Sequence, residues 1–204
     1  EIGSGLVGSE MCIRDSFSTL YQKAMEGDKD CGGMIACNYY SGEPVTGLEE
    51  GRPMFLRRPD SHLGLANFMR SHLYASLATL KIGLDILLKE EDVKIDSITG
   101  HGGLFKTKGV GQSILAAAMN APISVMETAG EGGAWGMALL AAYMLSKKDG
   151  QSLGDYLDSR VFADASSSTL MAQPEDIEGF NAFLNRYKAC LLYTSPSPRD
   201  RSLS

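Results

Sequence analysis

Apolar positions at Phe17, Leu20, Tyr21, Ala24 and Met25 recur at three- and four-residue spacing, which predicts a helix over Phe17–Glu26. The GDKDCGG run after it has no such period and breaks the helix. Met34–Tyr40, MIACNYY, suits a strand, and the turn signal Ser41–Glu43 ends it. Pro53–Arg58 is a second short strand, closed by Pro59. Between Ala66 and Lys89, residues such as Phe68, Leu77, Leu80, Leu84 and Leu87 run on with few breakers. One long helix is expected there, buried in part and amphipathic in part. Glu90–Lys94 reads as a charged turn.

Beyond it the pattern alternates. Lys94–Thr99 is a strand entering the turn Gly100–Gly103, Gly109–Met119 a helix, and Pro122–Met126 a strand. The turn Gly130–Gly133 then opens the helix Ala134–Ser146. Strand, helix, strand, helix with short glycine connections implies parallel pairing and an α/β fold. Leu153–Arg160 and Pro174–Tyr187 are two further helices, the second opened by Pro-Glu-Asp. The longest apolar run, Gly132–Leu145, has 14 residues. That is too short to span a bilayer, so it reads as a buried helix. Met119, Met126, Met137 and Met144 are expected to fill the core.

Composition narrows the class without naming a function. With 44% hydrophobic and 22% charged residues in 204, the chain reads as globular and long enough to bury a core without a disulfide or metal staple. A net charge of -6 argues against nucleic acid or an anionic membrane as partner. No apolar leader precedes the first helix, so a cytoplasmic location is the expectation.

The two ends are of another kind. A single DNA segment can encode Cys190–Asp200, CLLYTSPSPRD, and its reverse complement in a shifted frame encodes Leu6–Asp15, LVGSEMCIRD. Natural tails have no reason to be reverse complements of each other, and the segment resembles the adapter of transposase-based sequencing libraries. We therefore expect residues 1–16 and 190–204 to be translated adapter and its flanks, and residues 17–189 to be a domain cut from a longer protein. Cys12 and Cys190 then drop out. The remaining pair, Cys31 and Cys37, has neither zinc spacing nor a disulfide framework, and two buried thiols are expected.

Candidate chemistry lies in the two glycine turns that each leave a strand and open a helix. Glycine lets a ligand approach the backbone, and the helix start behind it offers unpaired N–H groups to an anion. In GHGGLFKTKGVGQ, Lys106 and Lys108 add positive charge. Neither turn is a G-x-G-x-x-G fingerprint or a P-loop, and packing alone also places glycine in such turns. Asp28 and Asp30 are read as loop carboxylates because no phosphate turn follows them. His62 and His72 lack a third metal ligand, so surface or capping roles are expected. Trp135 is read as a packing residue, and Glu127 and Glu131 as solvated loop charges.

Three stretches in this order carry a resemblance: GLEEGRPMFLRRPDSHLGLANFMRSHLYASLATLKIGLDILL, SITGHGGLFKTKGVGQSILAAAMNAPISV and ETAGEGGAWGMALLAAYML. Together they are similar to the C-terminal domain of the FGGY carbohydrate kinases, which include xylulokinase, ribulokinase, gluconokinase and glycerol kinase. The xylulokinase-like branch is the most similar. The resemblance covers residues 17–189 and implies an α/β, actin-like, ribonuclease-H-type ATPase lobe. It implies ATP and Mg2+ as cofactors of the full-length protein and a small sugar of the ketopentose type as substrate. It also implies nucleotide contacts at Gly102, Gly103 and Lys106, and a catalytic aspartate in an N-terminal part not contained in this chain. The fragment alone is expected to be inactive. His101 departs from the family pattern, where Asp or Gly is common before the glycine pair, and Lys106 stands where a small or amide side chain is usual. An actin-fold ATPase or nucleotide-sensing module without sugar activity, or a lobe used only for interaction, stays open at this point. So does a homodimer.

Overall fold

The computed structural model describes residues 15–95, 97–126, 132–163 and 166–194. Helix α1 spans residues 15–25 and buries Ala24. After it the chain makes a tight loop in which Cys31, Gly32 and Gly33 all have positive φ, and the Asp30 carboxylate accepts the Gly32 N–H. Strand β1 (Ile35–Cys37) pairs antiparallel with β2 (Met54–Leu56), Ala36 opposite Phe55. Helix α2 (Leu65–Lys89) lies across them, its buried residues gathered between Asn67 and Ala78.

The second half builds a three-stranded sheet of order β3-β4-β5. Strand β3 (Ile98–Gly100) runs parallel to β4 (Ile123–Met126), with helix α3 (Val110–Met119) as the crossover. This is the parallel unit that the strand–helix–strand pattern predicts. Helix α4 (Gly132–Ser146) and helix α5 (Leu153–Arg160) follow. Strand β5 (Ser167–Leu170) then joins β4 antiparallel, and helix α6 (Pro174–Thr194) closes the chain.

One core joins both halves. Nearly every residue of α3 is buried, because α2 and α6 cover it on one side and β4 on the other. Along α6, Phe180, Phe183, Leu184, Tyr187, Cys190 and Leu191 form a buried stripe at helical spacing. Tyr74 of α2 meets Phe180 and Phe183 edge-on, at centroid distances of 5.0 and 5.4 Å. Each such side chain contributes about 1.5–3 kcal/mol by leaving water.

Among the described residues one cation is buried, and it sits among these rings. Arg70, 1% exposed, donates from Nη1 to the carbonyls of Ala24, Met25 and Gly27 and so closes the C-terminal end of α1. Its Nη2 reaches Asp176 of α6 at 3.2 Å, and the Tyr74 hydroxyl accepts from Nε and Nη2. Three helices therefore share one guanidinium, whose planar fork suits several acceptors at once.

Four expectations from the sequence are corrected. Helix α4 is not buried: none of its residues falls in the core, and Met137 and Met144 are 69% and 76% exposed instead of filling it. Strand β5 was not expected at all. Its SSTL sequence has no apolar alternation because it lies at a sheet edge, where the Ser124 and Thr169 hydroxyls bond to each other across the pair. The strands before it are shorter than the apolar runs that predict them, since the ladder ends where the loops turn away. Helix α6 does not end at Tyr187 as expected but runs on through Thr194, with Cys190 and Leu191 buried. At the other end, Leu6–Arg14, Cys12 included, lies outside the described residues.

Candidate functional site

The turn after β3 is shaped by close contacts. At Gly100 a β-carbon would run into the Phe105 ring, so the chain must leave the strand there without a side chain. Gly102 adopts φ 102°, ψ −172°, a region that side chains with a β-carbon rarely enter. One 3-10 turn, Gly103–Phe105, follows, and Gly109 at φ 81° starts α3. No side chain caps either turn; at the positive end of α3 the Val110 N–H donates to the Thr107 carbonyl at 3.3 Å. Gly111 fits the helix under the loop: a β-carbon there would lie 2.6 Å from the Leu104 carbonyl oxygen.

The turn faces two hollows. In the first, of about 380 Å³, His101 and Gly102 meet Gly132, Gly133, Trp135 and Gly136 at the start of α4. His101 packs against Gly132, where an added β-carbon would sit 3.4 Å from Nδ1, so the two glycine turns touch. Nothing lies within 4 Å of the β-carbon positions of Gly102, Gly133 or Gly136, which leaves open backbone for a flat group to cover. Trp135 meets Phe162 edge-on at 5.9 Å, in the packing role expected of it, while also lining this hollow. The second hollow, about 450 Å³, holds Lys106, Thr107 and Lys108 against Val125, Met126 and Ser168.

The three sequence-predicted site residues are therefore on one loop but not in one place. Gly102 opens on the first hollow and Lys106 on the second, with the 3-10 turn that begins at Gly103 between them. Sequence reasoning missed Gln112. Its amide is buried, donates at 2.8 Å to the carbonyls of both Ile123 and Ser168, and accepts from the Ser168 hydroxyl. It clamps the start of α3 to β4 and β5. A lone amide in the apolar run VGQSILAAAM was the signal available. Glu127 and Glu131 lie outside the described residues.

The other polar candidates are structural. Asp28 accepts from Asn67 Nδ2 at 2.9 Å and pairs with His62 at 3.1 Å; these two hydrogen bonds, Asn67 first, hold its carboxyl below the usual range. Asp30 pairs with Arg186 at 3.0 Å. His72 shares a hydrogen bond with Asn38 and stacks on Phe55, and burial lowers its pKa. Cys31 and Cys37 are the two buried thiols expected, and burial raises both. Cys37 Sγ lies 3.8 Å from Cys190 Sγ. Among the described residues no three His, Cys, Asp or Glu side chains are grouped to hold a metal. Among them, too, no helix is long and apolar enough to cross a membrane.

A sheet of parallel β3 and β4 with a glycine turn at the head of its crossover helix defines an α/β lobe of the actin-like kind. Residues 8–145 match the model of the FGGY family of carbohydrate kinases, C-terminal domain. The chain belongs to that family. No curated protein sequence matches it. Among solved structures, it is similar to gluconate kinase from Lactobacillus acidophilus, with a TM-score of 0.65 and 18% identity over 87% of this chain. The ligand-bound xylulose kinase of the same organism gives 0.64 and 19% over 87%. Plasmodium falciparum glycerol kinase with ADP gives 0.61 and 18% over 93%. At these identities the likeness is one of fold. The chain spans 34%, 34% and 37% of those three proteins.

Proposed function

We propose that this chain is the nucleotide-binding lobe of an ATP-dependent carbohydrate kinase that phosphorylates a sugar hydroxyl, in a xylulokinase-like protein acting on a ketopentose-type sugar. The observation that carries it is the first hollow, where two glycine turns meet and leave uncovered backbone beside Trp135. An adenosine group has the flat, apolar shape to lie there, with polar edges for backbone N–H and C=O groups. Phosphates extending from it would meet the positive end of α3 and Lys106 along the same loop. Phosphoryl transfer also needs a base for the sugar hydroxyl and metal-holding groups. Both are assigned to the part of the kinase outside this chain, so the lobe alone is inactive and the full-length protein is a cytoplasmic enzyme using Mg2+ with ATP.

The test is calorimetric titration of the full-length protein with a non-hydrolysable ATP analogue, followed by a transfer assay over a panel of ketoses and aldonates. Gly102→Val should weaken nucleotide binding about tenfold or more, because valine is barred from the φ that Gly102 adopts. It should leave sugar binding unchanged. Absence of nucleotide binding in the native protein sinks the reading. Binding without transfer to any sugar would instead indicate an actin-fold ATPase or nucleotide sensor.

A further inference from the structure

Gln112 is a polar residue buried in an apolar helix. Val110 and Ile114 beside it are each 1% exposed, and from Ile114 to Met119 every residue of α3 is apolar. An amide taken out of water in such surroundings costs stability unless its hydrogen bonds are remade. They are remade on the sheet. Nε2 donates to the Ile123 carbonyl of β4 and to the Ser168 carbonyl of β5, both at 2.8 Å, and Oε1 accepts from the Ser168 hydroxyl. Both hydrogens of Nε2 are thereby used. Gln112 lines the second hollow with Lys106 and Gly109, yet its amide has no donor left for a ligand.

These bonds have a mechanical consequence. The apolar part of α3 is held by an attraction without direction, which resists separation more than sliding. Hydrogen bonds converging on one amide fix the head of the helix along the strands. That position passes on to the turn. Gly111, next to Gln112, lies so close under Leu104 that a β-carbon would meet its carbonyl oxygen, and Leu104 is the middle residue of the 3-10 turn that follows Gly102. A shift of the α3 head therefore moves the backbone that faces both hollows.

We infer that Gln112 is a positioning residue for the nucleotide: through Gly111 and Leu104 it holds the backbone from Gly102 to Lys106 in register with the sheet. The inference rests on the proposed nucleotide site and adds a support to it. It also gives the polar edge strand β5 a task, since Ser168 anchors both ends of the amide.

The experiment is calorimetric titration of the full-length protein with a non-hydrolysable ATP analogue, native and Gln112→Met. Methionine keeps the length of the side chain and removes its hydrogen bonds. Kd should rise about tenfold at unchanged stoichiometry. Kd does not depend on how much of a sample is folded, so a merely structural role would lower the stoichiometry and leave Kd where it was. That result overturns the inference. If Gln112→Met yields no folded protein, Ser168→Ala takes its place, because Ser168 is exposed and the change frees only the Oε1 end of the amide. A Kd about threefold higher supports the inference, and an unchanged Kd overturns it. A native protein that binds no analogue sinks the nucleotide reading and this inference with it. Native binding with an unaltered Kd in the variant fails this inference alone.

Discussion

Gly111 shows how little room the nucleotide turn has. A methyl group there would press on Leu104, 2.6 Å from its carbonyl oxygen and 2.8 Å from Cγ, so the loop before α3 must move. Gly111→Ala should therefore cost about 1–3 kcal/mol in urea denaturation. A loss below about 0.5 kcal/mol would show the loop to be freely adjustable. Two titrating groups work in one direction at this scale. Burial keeps His72 neutral, so below its ordinary pKa of 6.5 the unfolded chain takes up a proton that the fold refuses, and stability falls with pH. The Asp28 contribution is complete above 3.8 and is lost as pH falls through its lower folded value. Thermal midpoints should decline from pH 6.5 downward, and less steeply in His72→Gln. An unchanged slope in that variant would remove His72 from the account.

Among the elements, α2 depends on Arg70 as much as on its apolar face. Arg70→Leu leaves three carbonyls and Asp176 without their shared donor, and roughly 3–5 kcal/mol should be lost. Arg70→Lys should restore only part, because an ammonium cannot reach all of these acceptors. Chemical denaturation of the pair checks both. Nothing in LANFMRSH marks this arginine as buried, since its partners come from α1 and α6 and sequence period carries no such information. The strand–helix–strand order of β3, α3 and β4 was legible because glycine punctuation and apolar runs are local signals. Strand β5 was not, being a polar edge fixed by β4 and Gln112. For α6, the apolar stripe continues through Cys190 and Leu191, so ending the chain at Ala189 should cost about 1.5–3 kcal/mol for the leucine alone. An unchanged thermal midpoint would mean that these last residues add nothing to the fold.

For the whole molecule, the two halves are joined through α2, α3 and α6, which places the glycine turn at the rim of the shared core. The candidate site was half legible. Gly102 announces itself by its glycine neighbours, whereas the separation of Lys106 from it depends on a 3-10 turn that spacing does not reveal. The exposed side of α4 was misread for a related reason. Composition says that a helix wants burial, and only the assembled fold says whether cover is at hand. With that face bare, the 204-residue chain should associate as its concentration rises, and Met144→Glu should suppress this in sedimentation velocity.

The shared guanidinium also sets an order of events during synthesis. Asp176 lies 106 residues after Arg70, so everything from α2 to β5 is made before this acceptor emerges. Until then α1 and α2 can meet only by burying a cation short of its carboxylate, and Tyr74 lacks the rings of Phe180 and Phe183. Closure of this core thus waits for the synthesis of α6. A nascent chain arrested before Pro174 should stay open to protease along α2, however long it is left to fold.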